Sequence, residues 1–153
     1  MKESGQIAVA PTTSDERTMA MLAHVLQLVG GWIAPVIIFL VKKDSRFVRF
    51  HALQVLLLQG VYILCWIVAI VVGFAVMFST VVMHAHSPGV PPPPLFLLFP
   101  FFWLGIMGMW VVMLVVAIVY GIKAGNGEWA EYPVLGALAR HFLKIGPGGS
   151  LIS

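Results

Sequence analysis

Between Phe50 and Ile122 there is no Asp, Glu, Lys or Arg in 73 consecutive residues. A soluble domain carries a charge at roughly one position in four, so a run this long leaves no face suited to water. A second uncharged run, Thr18 to Val41, covers 24 residues. Crossing ~30 Å of hydrocarbon takes about 20 helical residues at 1.5 Å each, so the shorter run fits one pass and the longer run two. Backbone groups inside lipid must pair within their own segment, which selects helices over open strands. The chain is also 60% hydrophobic and 10% charged, against about 45–50% and 25% for a soluble domain. The reading is an all-α integral membrane protein with three transmembrane helices and a C-terminal amphipathic interfacial helix.

Residues 1–13 read as a flexible tail, 14–145 as a single helical membrane domain and 146–153 as a second flexible tail. No basic start leads into an apolar core, so the first span is expected to act as its own insertion signal rather than as a cleaved leader. Thr13 followed by Glu16 fits a capping box ahead of the first apolar run. That run meets Gly30, Gly31 and Pro35, where a kink or a re-entrant bend is expected because proline removes a helical hydrogen bond. The second span begins near Phe50 and stays helical to about Met83, longer than a bilayer requires. His84 to Pro94 reads as a stiff loop set by its prolines. The third span runs from about Pro100 to Ile122, with an aromatic entrance at Leu95 to Trp103, and Tyr120, Trp129 and Tyr132 marking the other boundary. From Pro133 a period of 100° per residue places Val134, Leu135, Leu138, Phe142 and Ile145 on one face and Arg140, His141 and Lys144 on the other, an interfacial amphipathic helix.

Charge placement sets the orientation. With the first run crossing, Lys42, Lys43, Arg46, Arg49, Lys123, Arg140 and Lys144 lie on one side and only Lys2 and Arg17 on the other, so the 42–49 loop and the C-terminus are expected to be cytoplasmic. A hairpin first run would instead bring the N-terminus to the cytoplasmic side without moving the other loops. Lys42, Lys43, Arg46, Arg49, Arg140 and Lys144 then anchor the protein at that surface. The net charge of +3 reports orientation, not nucleic-acid binding.

Two polar stripes interrupt the apolar helices. His51, Gln54, Gln59 and Tyr62 fall within about 140° of arc on the second helix at 100° per residue, and His24, Gln27 and Gly31 share a side of the first. Hydrogen-bonding groups are unfavourable against lipid, so these stripes face each other as interhelical glue or line a wet path. Ala117, Gly121 and Gly125 are spaced at four, the pattern that lets helices approach closely, within the chain or between copies.

No catalytic, cofactor or metal constellation is expected. His84 and His86 have no carboxylate beside them, and a metal site needs three or four convergent ligands. Cys65 is the only cysteine, which excludes an internal disulfide. No nucleophile motif or phosphate-cradling loop is present, and Gly125-Asn-Gly127 reads as a turn after a helix.

Three stretches in order carry a resemblance: Met21-Leu-Ala-His24 leading to Ala34-Pro35, then Phe47-Val-Arg-Phe-His-Ala-Leu-Gln54, then Ile122-Lys-Ala-Gly-Asn-Gly-Glu-Trp-Ala-Glu-Tyr-Pro133. Together, over about Asp15 to Lys144, they resemble the Tic-twenty-like family of small bacterial membrane proteins, long a domain of unknown function and distantly related to a chloroplast inner-envelope import component. The resemblance implies a helical membrane domain, with four membrane helices in the plant relatives. The resulting expectation is a non-enzymatic accessory or assembly component of a membrane complex, related to protein translocation, with the lipid bilayer and other membrane proteins or itself as partners. The alternative is a small channel or transporter using the His24, Gln27, His51, Gln54, Gln59 and Tyr62 stripe.

Overall fold

The structure is a computed structural model that describes residues 11–87, 89 and 99–150. The expected N-terminal tail over residues 1–10, most of the proline-rich loop, the start of the aromatic entrance and residues 151–153 lie outside the described residues. Five α-helices follow in order: α1 (Ser14–Gly30), α2 (Ile33–Val41), α3 (Arg46–His86), α4 (Phe99–Gly125) and α5 (Leu135–Leu143).

Helix α1 starts at a capping box. Thr13 N donates to Glu16 Oε2 at 2.8 Å, and Glu16 N donates to Thr13 Oγ1 at 3.2 Å, so two of the four orphan donors at the helix start are satisfied. The helix stops where Gly31 takes a positive φ of 56°, a conformation costly for any residue with a Cβ. Pro35 then sits in the first turn of α2, where its missing N–H breaks no helical bond.

The chain turns back at this break. Lys42 Nζ, after the end of α2, lies 2.6 Å from Asp15 Oδ2, in the first turn of α1. The two ends of the first apolar run are therefore neighbours, and the run forms a helical hairpin. The first run thus bends at the expected Gly30 to Pro35 break, and a third membrane crossing is not confirmed. Two helices among the described residues are long and apolar enough to span, α3 and α4. With 41 and 27 residues they reach about 61 and 40 Å, each more than the ~30 Å of hydrocarbon. The 17 residues of α1, five of them polar at its start, and the nine of α2 are each shorter than a span requires. The hairpin also places the start of α1 beside the 42–49 loop.

The described residues divide into two compact units. One comprises the described residues up to Gln59 and those from Leu114; the other is Gly60–Met113. In the first unit Ala20 and Ala23 of α1 are fully buried. Ala23, Ile38, Val48 and Ala52 form one apolar cluster, and Ala20, Phe47 and Ala124 a second, backed by Trp129. All eight Lys and Arg side chains among the described residues belong to this unit. In the second unit, Gly73 lets the Phe102 ring approach α3, since a Cβ there would lie 3.5 Å from Phe102 Cζ. An open apolar crevice of about 280 Å³ lies among Trp66, Ile70, Phe74, Met77, Phe102 and Trp103.

Helix α5 departs in part from its expected register. Leu138 and Phe142 are exposed while Gly136 and Ala139 are buried. Ile145, grouped by periodicity with the exposed apolar face, is instead buried. The helix has already ended there, with Lys144 in the left-handed conformation at φ 52°, so the 100° period no longer applies.

Acid should loosen the α1 start. Hydrogen bonds from Ser45 and from the Thr13 backbone hold the Glu16 carboxyl below its usual range. A depressed carboxyl stabilises the fold above its unfolded pKa, about 4.3, and that stabilisation is lost as pH falls through the folded value. Amide exchange at Glu16 and Arg17 is expected to accelerate below about pH 4 and to lose that pH dependence in Glu16→Gln. Unchanged exchange in the native chain across this range would show that the box does not close through the ionised carboxylate.

Candidate functional site

The polar residues of α1 and α3 converge inside the first unit on the segment that follows α4. His24 and His51 are fully buried, as is Gln54, and Gln27, Gln59 and Tyr132 are nearly so. Tyr132 Oη lies 2.8 Å from His24 Nδ1, His24 Nε2 lies 3.1 Å from His51 Nδ1, and His51 Nε2 lies 3.1 Å from the Glu128 carbonyl oxygen.

That last contact fixes the direction of the whole chain. A carbonyl only accepts, so His51 Nε2 carries a proton and donates. Neither ring has a hydrogen-bonded carboxylate to compensate a buried charge, which favours the neutral form of both. A neutral His51 then accepts at Nδ1 from His24 Nε2–H. His24 in turn accepts at Nδ1 from the Tyr132 hydroxyl. The tautomers follow from the bonding pattern, each ring being protonated at Nε2. The Tyr132 hydroxyl is itself pushed well above its ordinary range, chiefly by burial, which keeps it a donor.

Gln54 makes a second clamp on the same segment. Its Nε2 donates to the Ala130 carbonyl at 3.1 Å, and its Oε1 accepts Tyr132 N–H at 2.7 Å. One amide side chain thus replaces the backbone pairing that an irregular segment lacks. Further along, Gln59 Nε2 donates to the Gln27 carbonyl at 3.4 Å. Gln27 Nε2 is buried without a hydrogen-bond partner. Aromatic rings enclose the network: Tyr120 and Tyr132 meet edge to face at 4.4 Å, Phe47 and His51 at 4.6 Å, and Phe47 and Trp129 at 5.2 Å.

Five of the six residues of the expected stripe, His24, Gln27, His51, Gln54 and Gln59, are thus gathered in one unit. Tyr62 is not; it lies in Gly60–Met113, where its ring faces Trp66 at 6.4 Å. The small residues of α4 are used within the chain. A Cβ on Gly121 would lie 3.5 Å from both His24 Cβ and Val25 Cγ2, and one on Gly125 would lie 3.4 Å from Met21 Sδ. Ala117 is fully buried. Gly31, grouped with the packing residues by its place on the stripe, has no atom within 4 Å of where its Cβ would be; it serves the turn.

The basic residues at the surface have separate partners. Lys42 pairs with Asp15, Arg140 Nη1 lies 2.5 Å from Glu131 Oε1, Arg46 donates to the Gly149 carbonyl at 3.4 Å, and the Arg49 guanidinium sits 4.8 Å from the centre of the Phe39 ring. Lys43 and Lys144 are exposed. Among the described residues no group of three or more His, Cys, Asp or Glu converges as metal ligands do.

Sequence reasoning missed Tyr132 and the carbonyls of Glu128 and Ala130. Tyr132 reads as a boundary aromatic, and carbonyls leave no side-chain signature. The available signal was the 126–133 segment itself, eight residues whose backbone needs partners the helices alone do not supply.

Gly136 seals the clamp from the α5 side. A Cβ there would lie 2.6 Å from Glu131 Cβ and 3.1 Å from Gln54 Oε1. Gly136→Ala is expected to destabilise the unit by about 1–2 kcal/mol through overpacking and to speed amide exchange at Tyr132. Wild-type exchange there would show that α5 yields without disturbing Gln54.

A family model for magnetosome magnetite crystal formation proteins matches residues 15–139. Among curated proteins and among solved structures, nothing matches. The match overturns the resemblance to the Tic-twenty-like family. The stretches that carried that resemblance hold residues of the network, among them His24, Phe47, His51, Gln54 and Tyr132. Most of the chain lies within the match, and this small membrane protein therefore belongs to the magnetosome magnetite crystal formation protein family.

Proposed function

We propose that the chain is a non-enzymatic component of the magnetosome membrane that acts in magnetite crystal formation by scaffolding, through contacts with lipid and with other membrane proteins. The observation that carries this reading is the family match over residues 15–139. The bonding in the first unit supports the scaffold role: His24, His51, Gln54 and Tyr132 are engaged with one another and with the 128–132 backbone. Such an arrangement fixes the position of the α4–α5 segment. Translocation, expected from the earlier resemblance, has no support from the comparisons. A solute path along the same stripe has less support than a scaffold, because the stripe's side chains bond across to each other.

The orientation follows from charge. With the first run closed as a hairpin, all eight Lys and Arg side chains of the described residues fall in one unit, and the excess of positive charge favours the cytoplasmic side for the 42–49 loop and for α5.

The test is a clean deletion in the magnetite-forming host, with crystal size, shape and number measured by electron microscopy. Deletion should alter the crystals, and the wild-type chain supplied in trans should restore them. Crystals indistinguishable from wild type after deletion would overturn the proposal.

A further inference from the structure

The two ends of the α1–α2 hairpin lie together, opposite its Gly31 turn. Its ends are joined by Asp15 and Lys42 at 2.6 Å. Its return limb, α2, has nine residues, about 14 Å of helix, close to half the ~30 Å hydrocarbon thickness. The apolar part of its outgoing limb, Met19 to Gly30, is about 18 Å long. Neither limb reaches the far headgroups.

The outward face of the hairpin is apolar from limb to tip. Val29 is 90% exposed, Trp32, Ile33 and Leu40 are each 55% exposed, and Ile37 is close behind. Val29, Trp32 and Ile33 flank the Gly31 turn, the point furthest from the charged ends. The inward face is occupied, with Ala20, Ala23, His24 and Gln27 of α1 and Ile38 of α2 buried. The exposed face of this hairpin therefore has acyl chains as its natural surroundings, and those of one leaflet only. Helix α5, which exposes Leu138 and Phe142 and is too short to span, adds area in the same manner at the interface.

We propose that the α1–α2 hairpin is a single-leaflet wedge, seated among the acyl chains of the leaflet it enters from the Asp15–Lys42 side, which concentrates this protein on bilayers that are convex on that side. Each helix is about 10 Å across, so the pair displaces an area on the order of 200 Å² in one leaflet with no matching insertion opposite. Area added to one leaflet is accommodated with least strain where that leaflet is already expanded, on the outer face of a small vesicle. The inference rests on the hairpin geometry and on membrane insertion of the chain, not on a role in crystal formation.

The experiment uses the full chain with Cys65→Ser and Ser14→Cys, reconstituted into vesicles spanning a wide range of diameters. An impermeant dye added outside reports only molecules whose Asp15–Lys42 side faces out. Because one-leaflet insertion is curvature-sensitive, the dye density per unit area is expected to be higher, by roughly threefold, on the smallest vesicles than on the largest. Density independent of diameter would overturn the proposal. Val29→Lys combined with Ile33→Lys changes exposed positions only and should abolish the size preference while α3 and α4 keep the protein inserted; an unchanged preference would show that the hairpin is not its source.

If that double variant fails to fold, depth measurement on single-site variants decides. A spin label on Val29→Cys should be reached by oxygen and shielded from a water-soluble relaxation agent, as at mid-bilayer. A label exposed to water would sink the proposal. Cysteines at Ser14 and Asp44 should label from the same side of sealed vesicles, and labelling from opposite sides would equally defeat it.

Discussion

His51→Leu should cost the protein about 3–5 kcal/mol of stability, measured by denaturant unfolding in mild detergent. The ring is the central member of a three-bond chain, accepting from His24 Nε2 at 3.1 Å and donating to the Glu128 carbonyl at 3.1 Å. Leucine is apolar and of similar size, so the substitution leaves a fully buried donor on His24 and a partly buried acceptor on Glu128 without partners. Each orphaned group costs about 1–3 kcal/mol. Edge contacts from the His51 ring to Phe47 and Phe50 at 4.6 and 5.4 Å are lost as well. His51→Gln, whose amide can donate or accept but cannot reproduce the ring's span, should recover part of the loss. A loss under about 1 kcal/mol in His51→Leu would mean that these groups find other partners and that the chain of bonds stabilises nothing. Nitrogen chemical shifts give an independent reading: both rings should report protonation at Nε2, and the His24 signals should broaden or shift in His51→Leu.

Gly121→Leu should be of comparable severity, about 3 kcal/mol or more, at the upper end of what overpacking costs, while Gly121→Ala should be close to neutral. A methyl at this position would meet His24 Cβ and Val25 Cγ2 at 3.5 Å, ordinary van der Waals contact. The three further carbons of leucine have no such space. They must push α1 away from α4, and the displaced residue is His24, so the overpacking is expected to carry the loss of the Tyr132 and His51 bonds with it. The two effects are coupled through a shared side chain, so Gly121→Leu and His51→Leu combined should destabilise by less than the sum of the two alone. Additive losses would place Gly121 outside the network. A stable Gly121→Leu chain would show that α1 and α4 do not pack at this register.

How much of this was legible depends on whether the cause is local. The 73 uncharged residues from Phe50 to Ile122 are a local property, and α3 and α4 follow from them. The capping box of Thr13 and Glu16 and the break at Gly31 are local too. What the break does is not. A run of 24 residues is long enough for one pass, and the choice of hairpin depends on contacts from Asp15 to Lys42 and from α1 to α4, which no window of sequence displays. Helical periodicity sorted His24, Gln27, His51, Gln54 and Gln59 onto inward faces. It could not supply the partners, because Tyr132 N–H, the Glu128 carbonyl and the Ala130 carbonyl sit on an irregular segment with no period. Tyr62 satisfies the same arc as its neighbours on α3 but falls in the other compact unit, since an arc says which side a residue takes and not how far along the helix its partners extend. The spacing of Ala117, Gly121 and Gly125 announced a close approach without naming the helix that makes it.

The bond between His24 and Tyr132 joins residues 108 positions apart, and this has a consequence for how the chain is made. While α1, α2 and most of α3 are being inserted, Tyr132 and the carbonyls of Glu128 and Ala130 are still unsynthesised or inside the ribosome. His24, His51 and Gln54 must spend that interval without the partners that the 128–132 segment supplies, held by each other, by water or by lipid headgroups. Closure becomes possible only once residues 128–132 have emerged, after α1 to α4 have been made, which makes it a late checkpoint in the assembly of this unit. Chains truncated before residue 132 would retain α1 to α4 and leave His24 and Gln54 without the partners that Tyr132 supplies.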